Sequence, residues 1–420
     1  MANLLEKASI ILTPTAYSDG KMHSAKPIVS TNPSIGDFDF ARASVATRVN
    51  EQGLIEEVAS GLPRIDYTDG SGSWLLEPTV TNLVVQSQVF SGYTADNEIV
   101  TDNSIVSPDG TVTGAILADS GLGGISNVQI YEGVTVDASS TYTYSVFAKK
   151  KDLNFIALRT ASFTTPSDGQ SYFDLNLGTT LGVATGHTSK IENYGNGWYR
   201  CSITFTTDAV DTTGNIFTRL SQNGTTSSVD LDNTSNAYIW GFQFEKNSYA
   251  TSYIKNAGTA LGVTRVADTA TGSGNSTVIN SAEGVLYAEI SAFVDGGNFD
   301  FISLCDGGSA NRCSIFFNGG NLSVAYRASD TNVFLHSQTA NLLEFHKVAI
   351  SYKQSEFKMF VDGVKVQEQL SGNVLSANTF DRLNFDKNDG SDNLFIGKTK
   401  SLQVYKTSLS DAELTSLTTI

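Results

Sequence analysis

The sequence is poor in cysteine, proline and charge: 420 residues hold three Cys and seven Pro, and 17% are charged against a usual ~25%. Cys201, Cys305 and Cys313 are too few, and odd in number, to staple a chain of this length, which excludes a disulfide framework. Cys305 and Cys313 either face each other across a hairpin or sit as two reduced core thiols. Basic residues are outnumbered 27 to 43, a net charge of −16. Such a chain repels a phosphate backbone and anionic lipid, so neither nucleic acid nor membrane insertion is expected. No stretch approaches the ~18 apolar residues of a membrane span. The opening MANLLEKASIILTPTAYSDGK lacks a basic n-region, and Glu6, Lys7 and Pro14 interrupt its apolar run, so a soluble chain made in a cytoplasm without a signal peptide is expected. The sequons Asn223-Gly-Thr225 and Asn321-Leu-Ser323 then read as polar loop chemistry.

Helical periodicity is also scarce. Short β-branched and aromatic runs recur between clusters of Gly, Asn, Asp and Ser instead, and the length calls for several cores. The expected fold class is all-β: tandem jelly-roll β-sandwiches behind an extended N-terminal segment. In TYTYSVFAK, Tyr142, Tyr144, Val146 and Ala148 alternate with polar residues, predicting a half-buried strand. WYRCSITFTT repeats the pattern, with Tyr199, Cys201, Ile203 and Phe205 on one face and Arg200, Ser202 and Thr204 on the other. AYIWGFQFEK is apolar on both faces and predicts a central strand.

The boundaries follow from pattern changes. Residues 1–80, with Pro14, Pro27, Pro33 and Pro63 between short apolar runs, read as an extended attachment and oligomerisation segment without its own core. Residues 81–256 read as the first jelly roll, 257–281 as a small, polar, Gly-punctuated linker, and 282–420 as the second jelly roll, which is expected to fold alone from Glu283. Asp362-Gly363 between β runs predicts a type I′ two-residue hairpin. Ser410-Asp-Ala-Glu413 is a capping box before Leu414 and Leu417, predicting a short terminal helix.

The stretch FARASVATRVNEQGLIEEVASGLPRIDYTDGSGSWLLEPTVTNLV resembles a segment widespread in bacteriophage tail and fibre proteins, carried by Phe40 to Gly53, Pro63 to Tyr67 and Leu75 to Pro78. In those proteins it precedes a carbohydrate-binding-module-like jelly roll. Gly197 to Arg200, Tyr238 to Glu245 and Ala250 to Ile254 resemble that module's closing strands. Glu283 to Ile420, with its closing Leu-x-Val-Tyr-x-x-x-Leu-Ser-Asp-Ala-Glu-Leu at 402–414, is similar to laminin-G-like, concanavalin-type jelly rolls. The resemblance implies a virion surface protein, a tail or head fibre, usually an oligomer; the apolar residues of 1–80, Trp74 among them, without a core of their own predict a homotrimer held largely by that segment. Its N-terminal segment would meet other virion proteins, and its modules would bind host surface polysaccharide without chemistry. Where such modules often carry consecutive aspartates beside calcium, this chain has Trp240-Gly241-Phe242-Gln243.

No G-x-S-x-G elbow, H-E-x-x-H, Walker A loop or C-x-x-C is present, and His23, His187, His336 and His346 are scattered. His346, in phase with Val348, Ile350 and Tyr352, reads as structural. No catalytic residue, metal ligand or cofactor is assigned. A glycosidase needs only two carboxylates ~5–10 Å apart, so a depolymerase stays open. The acidic loop Asp381 to Asp392 reads as solvated, with calcium the alternative, because it fails the EF-hand pattern. Sugar binding by a sandwich requires exposed rings and planar polar side chains. Trp198, lying opposite Tyr199 and Cys201, with Tyr194 and Asn196 beside it, is the first candidate set, although packing of Trp198 against Arg200 competes with stacking. Tyr326 and Arg327 form the second. Three functions remain: a lectin-like virion fibre subunit, a purely architectural virion protein, and a polysaccharide depolymerase.

Overall fold

The computed structural model describes residues 4–26, 34–296, 299–388 and 393–420. Apart from the helices Leu4–Lys7 and Asp411–Thr418, its regular elements are strands, which form two compact units.

One unit comprises Ala46–Glu57 and Thr79–Arg265. Two antiparallel six-stranded sheets face each other. The first runs Thr94–Asp96, Gln129–Thr135, Thr213–Ser221, Phe155–Ala161, Gly169–Asp174, Thr179–Thr180. The second runs Glu98–Ile105, Gly114–Asp119, Asn236–Glu245, Thr141–Lys150, Trp198–Thr206, Thr188–Asn193. Alternate residues from both sheets, among them Tyr144, Val146, Ile156, Leu158, Cys201, Ile203, Ile216 and Phe244, form the core. The Tyr144 hydroxyl meets Thr218 Oγ1 at 2.7 Å, so the polar tip of a buried ring is satisfied between the sheets.

The strand Asn236–Glu245 lies between two partners, as its two-faced apolarity predicts. The strands Thr141–Lys150 and Trp198–Thr206 depart from expectation, because their polar face is covered as well. Phe147 packs with Val49, Ile55, Trp198, Trp240 and Tyr253 in a second apolar cluster. Buried Arg200 donates from Nε to Ser145 Oγ at 3.2 Å and from Nη1 to the Thr251 carbonyl. Glu245 accepts from Gln243 Nε2 at 2.8 Å and from Thr251 Oγ1 at 2.6 Å. Alternation of polar residues therefore marked a face that hydrogen-bonds internally rather than one that meets water.

The other unit comprises Met1–Val45, Val58–Pro78 and Val266–Ile420. An eight-stranded sheet runs Val364–Gln369, Glu356–Val361, His346–Lys353, Glu283–Ser291, Gly397–Tyr405, Ser73–Leu76, Ile65–Asp66, with Ala8–Leu12 also paired to Gly397–Tyr405. Its partner sheet runs Thr331–Thr339, Asn321–Ala328, Arg312–Asn318, Asp300–Cys305, Arg382–Asn384. Val361 pairs with Val364 across Asp362 (φ 49°) and Gly363 (φ 81°), the doubly positive φ of a type I′ turn. The capping box closes reciprocally between Ser410 and Glu413 at the terminal helix.

Three organisational expectations need correction. The described residues of 1–80 do not lack a core: Ile10, Leu12, Met22, Phe38, Phe40, Ile65, Trp74 and Leu76 pack with Leu286, Ile302, Leu402 and Val404. Each short apolar run was too small to form a core alone, but two of them complete the edge of a sheet made by distant sequence. Pro27 and Pro33 lie outside the described residues. The expected linker 257–281 holds the strands Val263–Arg265 and Thr269–Thr271 and buries Arg265, Asp268, Ala270, Ser273 and Ile279. The chain from Glu283 onward is not a closed domain either, because its strand Gly397–Tyr405 takes Ala8–Leu12 and Ser73–Leu76 as neighbours.

At the edge of the small sheet that contains Phe38–Ala41 and Thr269–Thr271, four charges are buried together. Arg42 Nη1 meets Asp268 Oδ1 at 3.0 Å, and Arg64 reaches Glu77 Oε2 at 2.6 Å from Nη1 and Asp268 Oδ2 from Nη2. Burial alone would ease the proton off Arg64, but the Asp268 and Glu77 carboxylates outweigh it and hold the guanidinium charged beyond its ordinary range.

Candidate functional site

The strands Gln129–Thr135, Thr213–Ser221, Phe155–Ala161 and Gly169–Asp174 send alternate residues inward, and the intervening ones project from the outer face of the sheet. Register places these outward side chains in rows across the strands. One row is Tyr131, Phe217, Arg159 and Gln170, and the next is Gln129, Arg219, Ala157 and Tyr172. At the ~4.8 Å spacing of adjacent strands, each four-residue row extends about 14 Å.

The first row is an aromatic and cationic platform. The Tyr131 and Phe217 rings stack at 4.7 Å between centroids with 24° between planes. The Arg159 guanidinium lies 4.5 Å from the Phe217 centroid and that of Arg219 lies 5.4 Å from it. Tyr131, Arg159 and Gln170 are half-buried, whereas Phe217 and Arg219 are buried beneath them.

The second row holds the first in place through a hydrogen-bond chain. Arg219 Nε donates to Gln129 Oε1, and its Nη1 donates to Gln170 Oε1 at 3.1 Å and to Ser227 Oγ at 3.3 Å. The Gln129 amide donates onward to Asp96, and Gln170 Nε2 donates to Tyr172 Oη at 2.5 Å. Arg159 pairs with Asp168 through Nε at 2.6 Å. Burial first, and then the neighbouring Arg159 charge, lower the Arg219 pKa to about 10. One half-buried ring, Tyr131, together with planar amides and guanidiniums whose rotamers are locked by one another, is an inventory suited to ordered recognition of a polyhydroxylated ligand.

In the unit holding Val266–Ile420, the partner sheet presents a second outward row: Phe301, Phe316, Ser323 and Ser337. Phe301 and Phe316 stack at 4.5 Å, and Phe299, 47% exposed, stacks on both at about 6 Å. The serines pair off as Ser303 with Ser314 and Ser323 with Ser337, which consumes part of their hydrogen-bonding capacity. The same unit holds an open cleft of 310 Å³ lined by Ala340, Val361, Val364, Val366 and the His346–Asp362 pair. Both His346 nitrogens are engaged there, with Asp362 at 2.6 Å and the Asn341 carbonyl at 2.9 Å, the structural role its phase predicts.

Residues 287–415 match the concanavalin A-like lectin/glucanases superfamily. No curated protein matches the chain. Among solved structures, a domain of an extracellular arabinanase from Geobacillus stearothermophilus, in complex with arabinotriose, is 12% identical over 36% of this chain and 73% of its own, with a TM-score of 0.30. The CBM40 module of the Ruminococcus gnavus IT-sialidase, bound to α2,3 sialyllactose, is 19% identical over 34% and 86%, with a TM-score of 0.30. A SAP-like pentraxin from Limulus polyphemus is 13% identical over 33% and 70%, with a TM-score of 0.26.

That concanavalin A-like segment contains Tyr326 and Arg327, and neither sits as a sugar site requires. Tyr326 is fully buried, with its hydroxyl donating to the Ser281 carbonyl at 2.6 Å, and Arg327 folds back onto Asp330. Trp198 is equally unsuited to stacking: it is 2% exposed and donates from Nε1 to the Val106 carbonyl at 3.0 Å. Its face of the strand is opposite the core, as the alternation indicated, but that face is roofed by the second apolar cluster. Half-buried Tyr194 packs edge-on to Phe147, and exposed Asn196 occupies a positive-φ turn where its carbonyl accepts from Lys149. Trp198, Tyr194 and Asn196 thus do not form a stacking site. The platform residues were missed, although Gln-x-Tyr at 129–131, Phe-x-Arg at 217–219 and Gln-x-Tyr at 170–172 share one alternation of aromatic and planar polar groups.

Among the described residues no three His, Cys, Asp or Glu side chains gather as a metal site, and Asp389 to Asp392 of the acidic loop lie outside those residues. The three cysteines are free and buried. Leu304, not Cys305, stands opposite Cys313, so the two thiols fall on opposite faces of their sheet.

Proposed function

We propose that this chain is a non-enzymatic, glycan-binding subunit of a bacteriophage fibre, and that its ligand lies across the Tyr131–Phe217–Arg159–Gln170 row. The observation that carries the proposal is the locked platform: stacked rings beside amides and guanidiniums that are fixed by one another on an outer sheet face. The phage assignment rests on the wording of Phe40 to Pro78 alone, and the match of residues 287–415 to a lectin-containing superfamily supports the lectin-like part of the reading. A shallow face buries little of a sugar, so single-site affinity belongs in roughly the micromolar to millimolar range. Assembly of several copies, most simply a trimer, would raise avidity by ~10² to 10⁴. A glycan array probed with the whole protein and with Tyr131→Ala tests this: binding lost in the variant supports the platform, and equal binding by both removes it.

A purely architectural role is the second reading. It is favoured by the use of Arg42, Arg64 and Glu77, which lie in the phage-like stretch, for internal ion pairs rather than for a surface. Absence of binding to every polysaccharide, alongside incorporation of the chain into particles, would establish that reading instead.

A further inference from the structure

We propose that the platform takes a carboxylate-bearing glycan, with the acid group of the sugar placed between Arg219 and Arg159; this rests on the glycan-binding reading above and narrows it to a ligand class.

The argument begins with the charge balance of the face. Arg219 is 7% exposed, and the three acceptors of its hydrogen bonds, Gln129, Gln170 and Ser227, are all neutral. A buried guanidinium is ordinarily matched by a carboxylate, as Arg64 is by Glu77 and Asp268. Here the second cation, Arg159, shares the same Phe217 ring, which adds repulsion to desolvation. In a chain of net charge −16 this concentration of positive charge is local and is not a by-product of composition. The acidic groups nearby are Asp168, which pairs with Arg159 from a mainly exposed position, and Asp96, which is turned to the Gln129 amide. Asp168 holds the Arg159 fork through Nε and Nη2, so an incoming carboxylate takes the place of Asp168, whose own side chain is mainly exposed and returns to water. The planar guanidinium fork matches a planar carboxylate in two parallel hydrogen bonds, and the adjacent Tyr131 ring offers a face to the pyranose that carries it. Neutral sugars would leave Arg219 with no carboxylate in hydrogen-bond contact and only Asp168 and Asp96 acting on it through space, so the acid group is the feature that discriminates.

The test applies the full chain to uronate polymers, namely polygalacturonate, alginate and hyaluronan, each beside its carboxyl-reduced derivative and beside dextran sulfate. At least one uronate polymer is expected to bind, with its reduced form weaker by tenfold or more, and Arg159→Gln is expected to lose a similar factor while its melt is unchanged. Because the comparison changes the ligand, it does not depend on whether Arg219→Gln folds. Equal binding of a polymer and its reduced form overturns the proposal and leaves a neutral-sugar site. So does binding of neutral glycans alone, or equally strong retention of dextran sulfate, which would indicate unspecific charge attraction. Failure to bind any polymer, charged or neutral, defeats the glycan-binding reading itself.

Discussion

Arg64 and Asp268, 204 residues apart in sequence, meet in an ion pair that has no solvent exposure on either side chain. Asp268 also accepts from Arg42 and from the Glu77 backbone amide at 2.9 Å, so one carboxylate ties three sequence segments together. Arg42, Arg64 and Glu77 all fall within the stretch that resembles phage fibre proteins, as Arg200, Gln243, Glu245 and Thr251 fall within or beside the stretches that resemble the first module's closing strands. Both groups are consumed internally. These motifs therefore mark a way of closing a fold.

Asp268→Asn should be severely destabilising. Removing one partner of a buried ion pair costs about 3–5 kcal/mol, because the remaining charge keeps its desolvation penalty and loses its compensation. Here two guanidiniums lose their shared carboxylate. Denaturant unfolding should show a lower midpoint at unchanged slope; a variant as stable as the parent would mean that the cluster is not a clasp.

A fragment limited to Glu283–Ile420 should be loosely packed. It would lack Ile10, Leu12, Phe38, Phe40, Trp74 and Leu76 from its core and would leave one side of Gly397–Tyr405 unpaired. Poor amide dispersion and strong binding of a hydrophobic dye are the expected signs. A sharp, well-dispersed spectrum would contradict this.

What was legible in the sequence was local. The Asp362-Gly363 turn, the Ser410–Glu413 box and the two-faced strand around Trp240 depend on neighbours within a few residues or on simple alternation, and each is found as predicted. What was not legible depended on sequence separation. The strands Ala8–Leu12 and Ser73–Leu76 carry no local sign that their partner is Gly397–Tyr405, and polar alternation around Arg200 gave no sign of a roof above it. The platform is dispersed in the same way, since Tyr131, Phe217, Arg159 and Gln170 become one row only through the order and register of four strands.

Gly363→Val should lower the melting temperature by several degrees. A β-branched residue at φ 81° carries strain of ~1–3 kcal/mol, and a Cβ there would also stand 3.2 Å from Thr419 Oγ1. Gly363→Asn, which tolerates the left-handed region, should recover most of the loss. Equal melts for all three proteins would sink the type I′ assignment.

His187 should make the protein acid-sensitive. The ring lies between Thr160 Oγ1 at 2.8 Å and Ser171 Oγ at 3.0 Å, and burial pushes its pKa down to about 4. The unfolded chain, with His near ~6.5, takes up the proton first, so stability falls as pH drops from there toward 4, by up to about 3 kcal/mol from this group. Asp300 acts in the opposite sense: burial raises it to about 7, so its contribution is lost as pH rises through neutrality. Comparison of His187→Gln with the parent isolates the histidine; the gap between their unfolding free energies should shift in favour of the variant between pH 7 and pH 4, and a constant gap would remove the ring from the account.

Tyr131→Ala and Trp198→Ala should separate binding from folding. Tyr131 is half-buried at the end of the platform, and loss of its ring removes a stacking partner worth about 0.5–1.5 kcal/mol beyond its area, or up to roughly tenfold in affinity. Its melt should fall slightly, because the Tyr131–Phe217 stack goes with the ring, and by far less than in Trp198→Ala. Trp198 is packed among Val49, Ile55, Phe147, Trp240 and Tyr253, so truncating it opens a cavity at a cost of about 3–5 kcal/mol. Binding per folded molecule should nevertheless be retained in Trp198→Ala, because Trp198 belongs to the other sheet and its cluster lies on the side of that sheet opposite the core. Calorimetric melts paired with polysaccharide pull-down on the folded fraction make the distinction. If Trp198→Ala loses binding while its melt is unchanged and Tyr131→Ala keeps it, the ligand face lies around Trp198 after all and the platform is only packing.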